Sequence, residues 1–440
     1  MRDWKTEIAA IVIAGGVLAP AARAQASPEE LHQALAEARQ AAERAQNAAA
    51  AAEAALAKVE AAQAQVQAQA QASLMPAAPG GITPPSGLYF AGNVDLGVRS
   101  TSTSDRTKRK TELALNNAST SLIWFKGYRQ LGPDLSASFL LELDFDPTRS
   151  STANGAASNN AFQGTPFAGE QYLALTGTFG DIKLGSPNAG ALIAAVNAQP
   201  YGTALGGGFS GTFGRLGTAS LSGINQFDGN AVGRIVRHEK TIMYTTPAWA
   251  GFKASAEYAF GNDRSSSPAS NSNRYQGLTL YYTQGPAKFV YAYSNEKAGD
   301  QPAAGPATLL GTAGAPVLPA NSNVSWNILA ANYTIGSATI YGGFTATKHH
   351  AAVSLENARS WNVALKYALS SKVALLANYV ARKSRRADNP DAKMLGLGVN
   401  YSFDEDTNLY LRYEGSRIDA LGRTASQRQD IYALGVQYRF

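Results

Sequence analysis

A strict period of two runs through Gln429 to Phe440: Tyr432, Leu434, Val436, Tyr438 and Phe440 fall on one face of an extended strand, while Ala433, Gly435, Gln437 and Arg439 fall on the other. The pattern recurs in about sixteen segments, each near the length at which a tilted strand crosses a hydrocarbon layer. A backbone in hydrocarbon must pair its own polar groups, and a closed sheet leaves no edge to pair. After the N-terminus no run of eighteen apolar residues offers a helical span, and 42 glycines with 20 tyrosines suit tight turns and interfacial girdles. The fold expected is all-β, a 16-stranded antiparallel transmembrane β-barrel with an N-terminal α-helical coiled-coil segment.

Four regions divide the chain. Residues 1–24 read as a signal peptide: Arg2 and Lys5 precede an apolar stretch from Ile8 to Leu18, and Ala22-Arg23-Ala24 supplies the small-x-small cleavage pattern. Residues 25–75 read as an alanine-rich periplasmic coiled coil. Leu31, Leu35, Leu56, Val59 and Val66 all fall on one seam of alternating three- and four-residue steps, and Ser27-Pro28-Glu29-Glu30 makes a helix start. Residues 76–86 form a Pro/Gly linker, and 87–440 the barrel.

Strands are expected near 87–99, 114–129, 135–146, 169–177, 180–186, 237–246, 251–261, 275–284, 287–295, 323–335, 337–347, 359–369, 372–383, 393–403, 407–415 and 428–440. Short turns such as Leu131-Gly132-Pro133-Asp134 and Gln284-Gly285-Pro286 alternate with longer polar connections. The connection over 186–236 is too long for a hairpin, and the reading is a constriction loop folded into the lumen. A cylinder of this many strands is too wide for side chains to fill, so the lumen should hold water.

These residues resemble the Gram-negative general porins of the betaproteobacterial trimeric type. Leu88 to Val98, with its inward Asp95, is similar to the family's first strand. Trp124-Phe125-Lys126-Gly127 followed by Leu131-Gly132 resembles the second strand and turn, and Phe139 to Phe145, with Glu142, the third strand. Gly177 to Gly185 resembles the approach to the constriction loop, and Tyr244 to Phe252 the family's Tyr-x-Ser-Pro turn. The resemblance implies a homotrimer in which the third loop sets a field across each pore. Ser186 and Met243 stand where the family often carries arginine, and Asp228 is the loop's single acid before Glu239.

Alternation alone puts many charges on the lumen face, where they avoid the cost of about 2–4 kcal/mol that Lys or Arg meets at mid-bilayer. The candidate constriction is Lys126, Arg237, Lys366, Arg382 and Arg412 on the wall, faced by Asp228 from the loop and by Glu142. Tyr438 and Phe440 are the candidate assembly signal, read by the barrel assembly machinery. Net charge is +6 overall; the leader carries +1 and residues 25–85 carry −3, so +8 resides on 86–440. Those charges are scattered and form no stripe interleaved with stacking aromatics, which excludes nucleic acid as a partner.

The function expected is passive diffusion of small hydrophilic solutes and ions across the outer membrane of a Gram-negative bacterium, with weak anion preference. The alternatives are a substrate-specific channel, and a tether joining the membrane to peptidoglycan or a periplasmic partner through the coil. Expected partners are outer-membrane lipid and lipopolysaccharide, the latter near the basic run Arg106, Lys108, Arg109 and Lys110, together with two further copies of the chain. No catalytic residue, metal ligand or cofactor is expected: the four histidines lack a serine and acid at motif spacing, and His349-His350 lacks metal-site spacing.

Overall fold

The computed structural model describes residues 86–104, 109–115, 117–145, 147–148, 169–207, 236–260, 274–299, 320–350, 358–384, 391–418 and 427–440. The expected leader, the coil and all of the linker but Ser86 lie outside them, as does Asp228.

The strands are β1 (Gly87–Thr103), β2 (Lys110–Leu115), β3 (Leu122–Gly132), β4 (Leu135–Asp144), β5 (Gln171–Gly177), β6 (Gly180–Ser186), β7 (Thr241–Thr245), β8 (Phe252–Phe260), β9 (Arg274–Gln284), β10 (Ala287–Lys297), β11 (Asn323–Ile335), β12 (Ala338–His350), β13 (Ala358–Ala368), β14 (Val373–Ser384), β15 (Ala392–Ser402), β16 (Thr407–Ile418) and β17 (Gln427–Arg439). Neighbours pair antiparallel, and β17 returns to β1 with Asn93 opposite Arg439 and Thr103 opposite Gln429. Gly92 and Phe440 extend that seam by exchanging backbone bonds of 2.9 and 3.2 Å. Both β2 and β3 pair with β1, β2 along Leu96–Thr101 and β3 along Gly87–Asn93. They are two parts of one interrupted strand, and the closed barrel has sixteen.

Two expected strands are shorter or broken. The one read over 114–129 parts between Leu115 and Leu122, for a reason set out below. The one read over 237–246 forms a strand only over Thr241–Thr245; Lys240, at a positive φ of 56°, ends it after one further bond from Phe260 N–H (3.2 Å), and Arg237 makes an isolated bridge to Asn188.

Outward positions are apolar and exposed, from Leu88 and Phe90 on β1 to Leu434 and Val436 on β17. Short turns gather at one end, such as Gly285-Pro286 between β9 and β10 and Gly336-Ser337 between β11 and β12; in barrels of this kind that end faces the periplasm.

The inner wall departs from simple alternation at β10 and β11. Val290, Ala292, Val324, Trp326, Ile328 and Ala330 point inward and are buried, leaving both faces apolar. They are covered by α1 (Gly190–Asn197), a helix inside the barrel whose Ala191, Leu192, Ala194 and Ala195 join the same cluster. Sequence reading assigned no helix to this loop. Burying a side chain the size of Leu192 contributes about 1.5–3 kcal/mol over exposure, so packing against a preformed apolar wall, not intrinsic propensity, stabilises so short a helix.

Candidate functional site

Residues 187–207 follow the inner wall, and side chains on inward strand positions hold their backbone. Gly190 N–H donates to Glu257 Oε1 on β8 (3.2 Å), which supplies the helix N-terminus with an acceptor that Ala189 cannot offer. Asn332 on β11 donates to Asn197 O (3.1 Å), Asn362 on β13 to Ala198 O (2.6 Å) and Asn378 on β14 to Gly206 O (3.0 Å). Gly206 N–H donates to Glu414 Oε2 on β16 (2.7 Å), and Leu205 N–H to Asn117 O in the interruption between β2 and β3 (3.3 Å). Two glycines permit this approach: a Cβ on Gly190 would collide with the Thr279 hydroxyl, and one on Gly396 with the carbonyl of Gly206.

The strand interruption is itself built around a carboxylate. Asp95, fully buried on β1, accepts Ala118 N–H (2.6 Å) and Ser119 N–H (2.8 Å) on Oδ2 and the Tyr410 hydroxyl on Oδ1. Arg99 bonds Asn117 Oδ1 and Leu115 O, both at 2.8 Å. Turning two consecutive N–H groups toward one carboxylate takes them out of the ladder, which is why the strand breaks here.

A second polar cluster lines β3 to β7. Glu142 on β4 accepts Trp124 Nε1–H at 2.7 Å, and its Oε1 lies 4.0 Å from Arg237 Nη1. The same Arg237 nitrogen donates to Asn188 Oδ1 (2.7 Å), while Asn188 gives both its N–H and its side-chain amide to Glu170 at 3.0 Å. Lys183 stands 4.0 Å from Glu170 and 4.1 Å from the centre of the Tyr172 ring. On β16 Arg412 bonds Asn400 Oδ1 (2.6 Å), with its guanidinium 5.6 Å from the centre of the Tyr201 ring and 5.3 Å from that of Tyr410.

Of the inward acids on β1, β4, β8 and β16, Asp95, Glu142, Glu257 and Glu414 are buried and bind N–H donors, while Asp144, also inward on β4, is buried with no N–H donor on its carboxylate among the described residues. Inward lysines nearer the periplasmic end differ: Lys126, Lys253, Lys288 and Lys366 are only half-buried. Lys253 and Lys288 are each the second residue after a short turn.

The profile of the Gram-negative porin family matches residues 48–421. The chain is a Gram-negative porin. It is similar to outer membrane porin protein 32 of Delftia acidovorans, 26% identical over 338 residues that span 73% of this chain and 89% of that protein. Among solved structures it resembles the anion-selective porin from Comamonas acidovorans, with a TM-score of 0.63 and 20% identity over 81% of this chain and all of that one. It also resembles the trimer form of OmpT from Vibrio cholerae, with a TM-score of 0.56 and 15% identity over the same share of this chain and 100% of OmpT.

In this porin the sequence-derived lumen residues occupy different heights. Glu142 and Arg237 come together, and Arg412 meets the inner segment through Tyr201. Lys126 lies 5.0 Å from the Trp124 ring. Lys366 is two residues from the periplasmic end of β13, while the buried Arg382 is two residues from the opposite end of β14, so these two share no level with one another. Tyr438 and Phe440 are exposed at the seam, where Phe440 packs 5.6 Å from Phe90. Sequence reading missed Asn117, Glu170 and Asn188. The doublet Asn116-Asn117 inside an expected strand was the available signal, since such residues favour turns.

Proposed function

We infer that this porin passes small hydrophilic solutes and ions by passive diffusion with a weak preference for anions. One observation carries the sign. Asp95, Glu142, Glu257 and Glu414 are buried against N–H donors, whereas Lys126, Lys253, Lys288 and Lys366 are only partly buried on the same inner surface. A fixed positive excess beside water lowers the barrier for anions and raises it for cations. The porin from Comamonas acidovorans that it resembles is anion-selective, which agrees in direction.

The inner segment narrows the pore in this reading, with Lys126, Glu142, Arg237, Lys366, Arg382 and Arg412 contributing to the wall and Asp228 to the loop. The family and the trimeric OmpT support a homotrimer. The leader over 1–24, the trimerising coil over 25–75 with peptidoglycan or a periplasmic partner, and the assembly role of Tyr438 and Phe440 rest on sequence alone.

Reversal potentials across a salt gradient test the sign. The unaltered channel should give an anion-selective potential, and replacing Lys126, Lys253, Lys288 and Lys366 together by Gln should move it toward the cation side. Cation selectivity in the unaltered channel, or no movement in the variant, would overturn the assignment.

A further inference from the structure

Antiparallel register lines up Tyr89 on β1, Lys126 on β3, Leu140 on β4 and Tyr172 on β5 in one inward row. Trp124 is the next inward residue of β3 toward the extracellular end, and Lys183 on β6 sits against the Tyr172 ring. The hydrogen bonds that hold residues 197–207 go to β11, β13, β14, β16 and Asn117, all off this row. Six residues of β1 separate Tyr89 from Asp95, roughly 15 Å at about 3.3 Å per residue and a tilt near 40°. The row therefore lies on the periplasmic side of the strand interruption.

Its chemistry differs from that of a plain wet wall. Leu140 occupies an inward position and is only 4% exposed, so apolar surface stands where alternation calls for polar side chains. Two rings beside it are fixed by partners: Trp124 donates Nε1–H to Glu142 at 2.7 Å, and Tyr172 has the Lys183 ammonium 4.1 Å from its ring centre. Tyr89, at 37% exposure, closes the row on the other side. Lys183 is buried and stands 4.0 Å from Glu170, whereas Lys126 is only partly buried, with Nζ 5.0 Å from the centre of the Trp124 ring. Lys126 is thus the cation of this row that a solute reaches. Glu142 and Glu170, the inward acids above it, are buried and engaged by Trp124 and Asn188.

We propose that this row is a binding site for aromatic monocarboxylates, the carboxylate on Lys126 and the ring over Leu140 against Tyr89 and Tyr172. Three strand spacings of about 4.8 Å set the backbones of Tyr89 and Tyr172 roughly 14 Å apart, room for one planar ring between their side chains. One reachable ammonium suits a monoanion better than a dicarboxylate or a phosphate, which would leave charge unmatched. Rings already held by partners lose little freedom when a solute stacks on them, so the contact favours a flat π face over a puckered ring of equal size. The site rests on the anion-preferring reading of the channel and adds to it a preference among anions.

The test records chloride current through the full-length porin in planar bilayers while benzoate, cyclohexanecarboxylate or acetate is added on the periplasmic side. Benzoate should block saturably, with a half-blocking concentration at least fivefold below that of cyclohexanecarboxylate, which matches its charge and size without a π face, and further below that of acetate. Tyr89→Leu and Tyr172→Leu combined should bring benzoate to the level of cyclohexanecarboxylate, and Lys126→Gln should weaken block by both acids. Equal block by benzoate and cyclohexanecarboxylate in the unaltered channel overturns the proposal, as does undiminished benzoate block in the double variant. Reversal potentials on the same channels separate the two readings: cation selectivity overturns both, whereas anion selectivity with equal block by the two ring acids overturns this site alone. Should the double variant not fold, the comparison of acids on the unaltered porin decides.

Discussion

Replacing Asp95 with alanine tests whether the strand interruption holds the inner segment in place. The carboxylate serves three donors, Ala118 N–H, Ser119 N–H and the Tyr410 hydroxyl. A buried donor left without an acceptor costs about 1–3 kcal/mol, but Ala118 and Ser119 are only partly buried and can recruit water, so the loss should total about 2–4 kcal/mol. The consequence for the pore is more diagnostic. Once the nest relaxes, Asn117 O moves away from Leu205 N–H, and the end of the inner segment keeps only Glu414 and Asn378 at Gly206. Single-channel records of Asp95→Ala should show added open-state noise and a less uniform conductance, together with a lower thermal midpoint in detergent. Asp95→Asn, which retains an oxygen for the two N–H groups, should lie close to the unaltered protein. If Asp95→Ala loses stability while its current traces keep the original amplitude and noise, the nest supports the wall alone and the argument fails.

Three more outcomes follow from the same contacts. Trp326→Ala, which empties the centre of the cluster beneath α1, should cost about 3–5 kcal/mol, whereas Trp326→Phe should cost far less because the buried indole N–H has no partner to lose; chemical unfolding followed by tryptophan fluorescence and gel mobility separates the two. Gly396→Leu should push Gly206 off the wall and change single-channel conductance with little loss of barrel content by circular dichroism; identical conductance would mean the segment does not border the pore. Asp404 accepts N–H bonds from Thr407 (2.6 Å) and Asp406 (3.0 Å) in a periplasmic turn, which hold its carboxyl below the ordinary value of 3.8. Because the folded value is the lower one, its contribution is complete above 3.8 and fades as pH falls through the folded value. Asp404→Asn should therefore remove pH dependence in that acid window, as read by thermal midpoints across it.

The barrel was legible because its solvent is two-sided. With lipid outside and water inside, alternation along β15, β16 and β17 follows from transfer energy alone, and turns such as Gln284-Gly285-Pro286 announce the ends. The inner features were hidden because they exchange one environment for another. α1 shows no polar face, since it packs within the cylinder against a wall that is itself apolar. Its trace lay elsewhere, in β11, where Val324, Trp326, Ile328 and Ala330 occupy the face that water should wet. The interruption after Leu115 was masked in the same way: Leu113 and Leu115 continue the outward phase, and only the carboxylate on the neighbouring strand decides that Ala118 and Ser119 leave the ladder.

Counting lumen charges from alternation treats every inward carboxylate as equal, and the structure separates them by what they bind. Glu257 and Glu414 meet backbone N–H groups of the inner segment, and Asp95 meets those of the interrupted strand, so these charges are spent on orphan donors within the protein. An ion pair seen across strands, such as Arg237 with Glu142 at 4.0 Å, likewise offers little net field to a passing solute. In this reading the groups placed to act on permeating ions are those only partly buried on the inner wall, chiefly the periplasmic-side lysines Lys126, Lys253, Lys288 and Lys366. Holding the loop and setting the selectivity are thus one problem: each acid that fastens the segment is withdrawn from the water column, and the sign of the pore is what the fastening leaves behind.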